Sequence, residues 1–205
     1  LVVADIVMSE TAALAHYVLP CKTAFECWDG TLGIGFPEVY ARTYKFLNVL
    51  DYLNLCLTGR FAATFDSILT SWVTDNRDPD RIHYDRGLVS ASGIDSEKFP
   101  QIFPCTAVLG NLSSAAAEEL GLSLDVKVVA GAIDTTAAAI GAGAVEDCLP
   151  HLYIGTSSWM AAHVPNKKTD IASSMASLPC AVPGRYLLVA LQATAGGNLN
   201  FLRDK

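Results

Sequence analysis

Val128 to Ser158 reads VVAGAIDTTAAAIGAGAVEDCLPHLYIGTSS, and this stretch decides the fold. The apolar run Val126 to Ala130, with Lys127 inside it, predicts a buried strand. A small-residue turn follows, Gly131-Ala132-Ile133, and then Asp134. The alanine-rich TTAAAIGAGAV after it predicts a helix whose small side chains let it lie close against a sheet. Asp134 therefore stands where a strand ends and a helix begins. A carboxylate there can cap the helix, and α/β folds place reacting groups outside the carboxyl ends of their strands. A second unit follows: the strand His151 to Ile154, the polar turn Gly155-Thr156-Ser157-Ser158, and the apolar Trp159 to Ala162. Such a turn offers free backbone N–H groups and three hydroxyls, which suit phosphate oxygens. Taken singly, Asp134 reads as a helix cap and GTSS as an ordinary hairpin turn. Taken together, with the hairpin about twenty residues after the acid, they place a base beside a phosphate cradle.

The words GAIDTTAAAIGAG, LYIGTSS and the closing AGGNLNFLRD resemble the FGGY carbohydrate kinases, especially the xylulokinase-like branch. The similarity runs from about Tyr44 to Lys205. The resemblance implies an α/β chain with part of an actin-like (ribonuclease H-like) ATPase fold, spanning parts of two domains. Residues 44–147 would be the end of the N-terminal domain and 148–205 the start of the C-terminal domain, with a hinge near Asp147. It implies transfer of the γ-phosphoryl group of ATP, with Mg2+, to a sugar or polyol hydroxyl. By resemblance Asp134 is the general base, and Gly155, Thr156 and Ser157 meet nucleotide phosphate. Gly196 and Asn200 lie beside the nucleotide. Substrate contacts fall on Asp134 and Thr135; the family often has Gln or Asn at the latter place. No Gly-x-x-x-x-Gly-Lys-Ser/Thr occurs, so a P-loop mechanism is excluded.

Composition sets wider bounds. Of the 205 residues 51% are hydrophobic and 17% charged, enough for a sizeable core and too apolar for disorder. The net charge of −7 and the lack of a basic run argue against a nucleic-acid partner. No apolar stretch approaches the ~18 residues of a membrane helix, and LVVADIVMSE carries no signal-peptide pattern. With no initiator Met, the chain reads as an internal fragment, expected to be inactive by itself. The six cysteines form no CxxC pair, which favours buried free thiols in a reducing cytoplasm. Expected partners are a sugar and ATP, with no nucleic acid or membrane and a homodimer left open.

Residues 1–43 read differently. LVVADI and Tyr17-Val18-Leu19 are strand candidates around a short helix TAALA, a βαβ-like unit, and Cys21 to Phe36 is a loop. MSETAALAHYVLP, Glu26 and WDGT resemble the molybdopterin-dependent oxidoreductases, which implies a foreign piece joined near 42–44. An oxidoreductase fragment and a non-catalytic actin-like nucleotide-binding module are therefore the alternatives to a kinase. Further along, apolar spacing at 46, 50, 53 and 57 predicts a helix over Lys45 to Leu57, ended by Gly59. Phe61 to Val73 is a second expected helix, with Asp66 and Ser67 facing a substrate cleft or, the favoured reading, on its solvated face. Asp85 to Ala91 is a short expected helix, and His83 an expected surface residue. Val108 to Leu112 reads as an edge-like turn, and Ser113 or Ser114 should cap a helix that Gly121 stops. A hairpin around Val182 to Arg185 should lead into a strand to Ala193 and a last helix after Gly197.

Overall fold

The computed structural model describes residues 2–5, 17–20, 37–155, 157–192 and 195–204. Strands β1 (Val2–Asp5) and β2 (Tyr17–Pro20) pair in parallel, as a βαβ-like unit requires. The expected TAALA helix and the loop from Cys21 to Phe36 lie outside the described residues. After α1 (Pro37–Arg42) comes α2 (Val49–Thr58), which starts four residues later than its apolar spacing predicts. Asn48 has extended backbone there, and its N–H donates to Asp51 Oδ2 at 3.3 Å. Gly59 ends α2 at φ 72°, its N–H donating to Leu55 O at 2.7 Å.

The expected helix over 61–73 is instead a strand and a turn. Strand β3 (Ala62–Thr64) pairs in parallel with β6 (Gln101–Phe103), and a 3-10 turn covers Ser67–Ser71. The cause is local. Thr64 N–H donates to Ser67 Oγ at 2.9 Å and Ser67 N–H to Thr64 Oγ1 at 3.0 Å. Side chains that satisfy the backbone in this way compete with the helical ladder. Both faces of Ala62-Ala63-Thr64 are buried, which an amphipathic helix would not allow.

Strands β4 (Thr74–Asp75) and β5 (His83–Tyr84) pair antiparallel, with His83 exposed as expected. Asp85 caps α3 (Arg86–Ser92), accepting from Leu88 N–H, and Gly93 closes it. The expected turn at 108–112 is a strand, β7 (Val108–Asn111), antiparallel to β8 (Lys127–Val129) with a bulge between Val108 and Gly110. Between them Ser113 caps α4 (Ser114–Leu120) and Gly121 stops it. The strand before Asp134 is buried on one face only. Val128 is 7% exposed but Val129 is 50%, because a two-stranded ribbon covers one side.

Helix α5 (Asp134–Gly141) leads into five antiparallel strands: β9 (Pro150–Ile154), β10 (Ser158–Val164), β11 (Thr169–Asp170), β12 (Met175–Pro179) and β13 (Tyr186–Gln192). Their spatial order is β11-β12-β13-β10-β9. Ala139 of α5 packs into this sheet with Ala161, Cys180 and Leu187, flanked by Trp159, Val182 and Val189. A further core joins Ala62, Leu109 and Ala130, with Phe103 against it. Helix α6 (Gly196–Arg203) ends the described chain. Of the described cysteines, Cys105 and Cys180 are buried as expected, whereas Cys56 and Cys148 are exposed. Cys21 and Cys27 lie outside the described residues.

The crossing at 146–150 is tied to the sheet. Asp147 forms a bridge with His163, Cys148 N–H donates to His163 O at 2.8 Å, and Arg185 Nε donates to Asp147 Oδ1 at 2.6 Å. His163 is fully buried, its Nδ1 2.6 Å from Ala144 O.

Candidate active site

Asp134 is the first residue of α5, one position past the N-cap Ile133. The first turn of a helix leaves backbone N–H groups without intrahelical partners. Asp134 Oδ1 accepts from its neighbour's N–H, Thr135, at 2.7 Å and from Thr135 Oγ1 at 3.2 Å. Its Oδ2 has no partner among the described residues, and the side chain is exposed. One oxygen is thus held and the other faces outward, the arrangement a proton acceptor needs.

The loop that presents Asp134 is held from three sides. Ala130 N–H donates to Ala107 O at 2.8 Å and Gly131 N–H to Cys105 O at 2.9 Å. Asn54 Nδ2 donates to Ala130 O at 2.7 Å from α2. Ile133 N–H donates to Asp66 Oδ2 at 3.1 Å from the turn after β3. Gly131 sits at φ 82°, a left-handed backbone that favours glycine, and a Cβ there would meet Leu50 Cδ1 at 3.3 Å.

Sequence reasoning missed the polar residues behind this loop. Asp66 and Ser67, expected on a solvated face, are completely buried. Asp66 Oδ1 accepts from Thr64 Oγ1 at 2.5 Å, and Ser67 Oγ donates to Asp51 Oδ1 at 2.8 Å. Asp51 and Asn54, also buried, form a polar stripe on α2 that points inward. Burial pushes the Asp51 carboxyl up to about 6, the nearby Asp66 charge adding to the rise against the Ser67 and Asn48 hydrogen bonds. Burial likewise pushes the Cys105 thiol up to about 12, with Asp66 contributing. One signal was present: Thr64-Phe65-Asp66-Ser67 has the side-chain spacing of a self-bonding polar turn.

The hairpin residues behave differently from the free cradle expected. Gly155 N–H donates to Ser157 O at 2.8 Å, so that amide is used within the turn. Gly155 O accepts from Gly196 N–H at 2.8 Å, which joins the hairpin to the start of α6. A Cβ on Gly155 would lie 2.7 Å from Tyr153 Oη, so a side chain there would displace the Tyr153 ring. Tyr153 in turn stacks on Trp159, ring centroids 3.8 Å apart. Ser157 is half-buried and Asn200 is exposed on α6. Thr156 lies outside the described residues. Two of the expected nucleotide residues, Gly155 and Gly196, are therefore in direct contact. Asp134 connects to the same sheet through α5, whose Ala139 packs beside Trp159 and Ala161. A surface depression lined by Tyr84, Arg86, Val89, Ser90, Ile94 and Ser96 includes none of the expected site residues.

Among the described residues no group of three His, Cys, Asp or Glu side chains is placed to hold a metal ion. Nor is any described helix long and apolar enough to cross a membrane.

Known proteins bear on this arrangement. The chain is 29% identical over 168 residues to xylulose kinase of Lactococcus lactis subsp. lactis, covering 82% of this chain and 33% of that protein. It is 28% identical over 169 residues to L-fuculokinase of Escherichia coli K12, covering 82% of this chain and 35% of that protein. The chain thus spans about a third of the length of the curated relatives it matches. The crystal structure of a xyloylose kinase from Brucella ovis superposes with a TM-score of 0.76 at 25% identity, covering 87% of this chain and 36% of that one. The fold is accordingly part of the actin-like ATPase fold of these kinases. The N-terminal domain of the FGGY family of carbohydrate kinases matches residues 35–141, starting before the junction expected near 42–44. That match covers more than half of the 205 residues, and the chain belongs to the FGGY family of carbohydrate kinases.

Proposed function

We propose that the protein takes part in ATP-dependent phosphorylation of a sugar or polyol hydroxyl, with Asp134 as general base. The observation that carries the reading is the fixed loop Ala130–Ile133, which ends in an outward carboxylate at a helix start. In the proposed step the sugar hydroxyl oxygen attacks the γ-phosphorus as its proton passes to Asp134 Oδ2. The bond between the γ-phosphorus and the bridging oxygen breaks, and ADP leaves. General base catalysis of this kind contributes about 10²- to 10⁴-fold. Positioning and charge neutralisation carry the rest of phosphoryl transfer.

Nucleotide phosphates are proposed to lie at the joined hairpin and α6 start, against Gly155, Thr156, Ser157, Gly196 and Asn200. Support comes from the Gly155–Gly196 hydrogen bond and from the small side chains that let a phosphate approach. Mg2+ is proposed to arrive with the nucleotide rather than on a ligand set of the protein. Thr135 is proposed as a substrate neighbour, because its hydroxyl already meets Asp134. The matched family domain ends at residue 141, which supports a division into the end of one domain (44–147) and the start of the next (148–205). A cytoplasmic location belongs to the same reading. Xylulose is the first sugar to test, since xylulose kinases stand among the relatives.

The test is Asp134→Asn in the full-length enzyme that carries these residues, assayed for ATP-dependent sugar phosphorylation. A loss of kcat of about 10²-fold or more with native folding is expected. Unchanged turnover would remove Asp134 from the chemistry. ATP binding with no turnover in either protein would leave a nucleotide-binding module in place of a kinase.

A further inference from the structure

We propose that Asp66 is a positioning residue for the reaction: its buried carboxylate fixes the backbone at Ile133 and, through it, the direction of Asp134. The inference rests on the reading of Asp134 as base. Asp66 is distant from Asp134 in sequence yet meets the residue immediately before it, Oδ2 accepting from Ile133 N–H at 3.1 Å. Its other oxygen is taken by the Thr64 hydroxyl at 2.5 Å. Thr64 is itself fixed, because its Oγ1 accepts from Ser67 N–H and its N–H donates to Ser67 Oγ. Ser67 Oγ in turn reaches Asp51 on α2 at 2.8 Å. An unbroken chain of hydrogen bonds therefore runs from α2 through the turn after β3 to the N-cap of α5.

Core packing does not require a carboxylate at this place. Asp66 is completely buried, and a buried charge is a weak source of stability against a well-packed apolar residue. What a carboxylate supplies is two acceptor oxygens in a fixed plane, one for each donor. The Ile133 N–H matters because Ile133 carries no side-chain cap for α5. Asp66 thus acts as the cap from elsewhere in the chain. Asp134 follows at once, with Oδ1 held by Thr135 N–H, so the setting of the Ile133 peptide decides where Oδ2 points. A misplacement of about 1 Å in a reacting group costs about 10²-fold.

The test compares Asp66→Ala, Asp66→Asn and Thr64→Val in the full-length enzyme, by kcat, KM for ATP, and amide exchange at Ile133 relative to Leu109 and Val128. Asp66→Ala is expected to lower kcat by about 10- to 100-fold, with KM for ATP changed less than about twofold. Its Ile133 amide should exchange at least about tenfold faster, with Leu109 and Val128 unmoved. Asp66→Asn should recover kcat to within about fivefold, because the amide oxygen can accept from Ile133 while its NH2 donates to Thr64. Should Asp66→Ala fail to fold, Thr64→Val decides the matter. It keeps the shape but frees Asp66, so Ile133 exchange should rise and kcat fall about threefold. Equal losses in the Ala and Asn variants with Ile133 exchange unchanged would overturn the proposal, as would wild-type kcat and exchange in Thr64→Val. A failure of the base assignment is separate: it shows as full turnover in Asp134→Asn, whatever Ile133 exchange does in the Asp66 variants.

Discussion

Replacing Asp51 by asparagine should stabilise the protein at pH 8 and leave its stability nearly unchanged at pH 4.5. Asp51 is 1% exposed, and burial, with the Asp66 charge adding to it, raises its carboxyl to about 6. Against an unfolded value near 3.9, that rise corresponds to about 3 kcal/mol. The sign follows from the direction. A carboxyl whose folded pKa is raised contributes fully below the unfolded value, and that contribution is lost as pH climbs through about 6. At pH 8 the ionised Asp51 therefore weighs against the native state by about 3 kcal/mol, and at pH 4.5 by about 1 kcal/mol. Asparagine is neutral throughout. Its oxygen keeps the Ser67 hydroxyl bond, but its NH2 replaces Oδ2 and loses the bond from Asn48 N–H, about 1 kcal/mol. The net gain is about 2 kcal/mol at pH 8 and about zero at pH 4.5. Urea unfolding of both proteins at pH 4.5, 6 and 8 measures the difference, which in a thermal scan amounts to about 4–8 °C at pH 8. A difference that stays flat across this range, or a variant weaker at pH 8, would refute the account of a buried, strained carboxylate.

Two further outcomes follow from the same contacts. Asn54→Ala removes the buried donor to Ala130 O and should cost about 2–3 kcal/mol by denaturant unfolding. In the full-length enzyme the same change should lower kcat more than it raises KM for ATP. Arg185→Ala breaks an ion pair with Asp147 whose partners are both more than a third exposed, and should cost under about 1 kcal/mol, less again in high salt. A larger, salt-insensitive loss there would mean that the pair holds the 146–150 crossing rather than decorating it.

The elements that are legible in the sequence carry their own punctuation. Gly59, Gly93 and Gly121 each end a helix in left-handed backbone, and Ser113 and Asp85 each start one with a side-chain cap. These are local events, and residue type alone announces them. Turn residues likewise foretell the β9–β10 and β12–β13 hairpins of the five-stranded sheet. The strand–turn–helix around Asp134 is legible for the same reason, and so is the glycine-rich start of α6. The departures share a different cause. FAATFDSILTSWV has enough apolar residues for a helix, but the bonds between Thr64 and Ser67 and the pairing with Gln101–Phe103 settle its form. The second partner lies some forty residues on, beyond any window of periodicity.

Asp51, Asn54 and Asp66 carry this point to the candidate site. Polar residues are assigned to water by default, because burying them is costly unless every acceptor and donor is met. Here they are met by Ser67, Ala130, Thr64 and Ile133, whose nearness is a property of the folded chain. Of the apolar stripe read on α2, Leu57 packs against the Leu112 cluster but Leu53 is exposed, and the fully buried positions are Asp51 and Asn54. A core built that way gives up hydrophobic stabilisation and gains direction, since hydrogen bonds are oriented and dispersion contacts are not. The gain falls on the four residues before Asp134, the proposed base. The sequence thus names the carboxylate proposed as base, while the polar residues that hold its loop become visible only once α2, the turn after β3 and the N-cap of α5 are brought together.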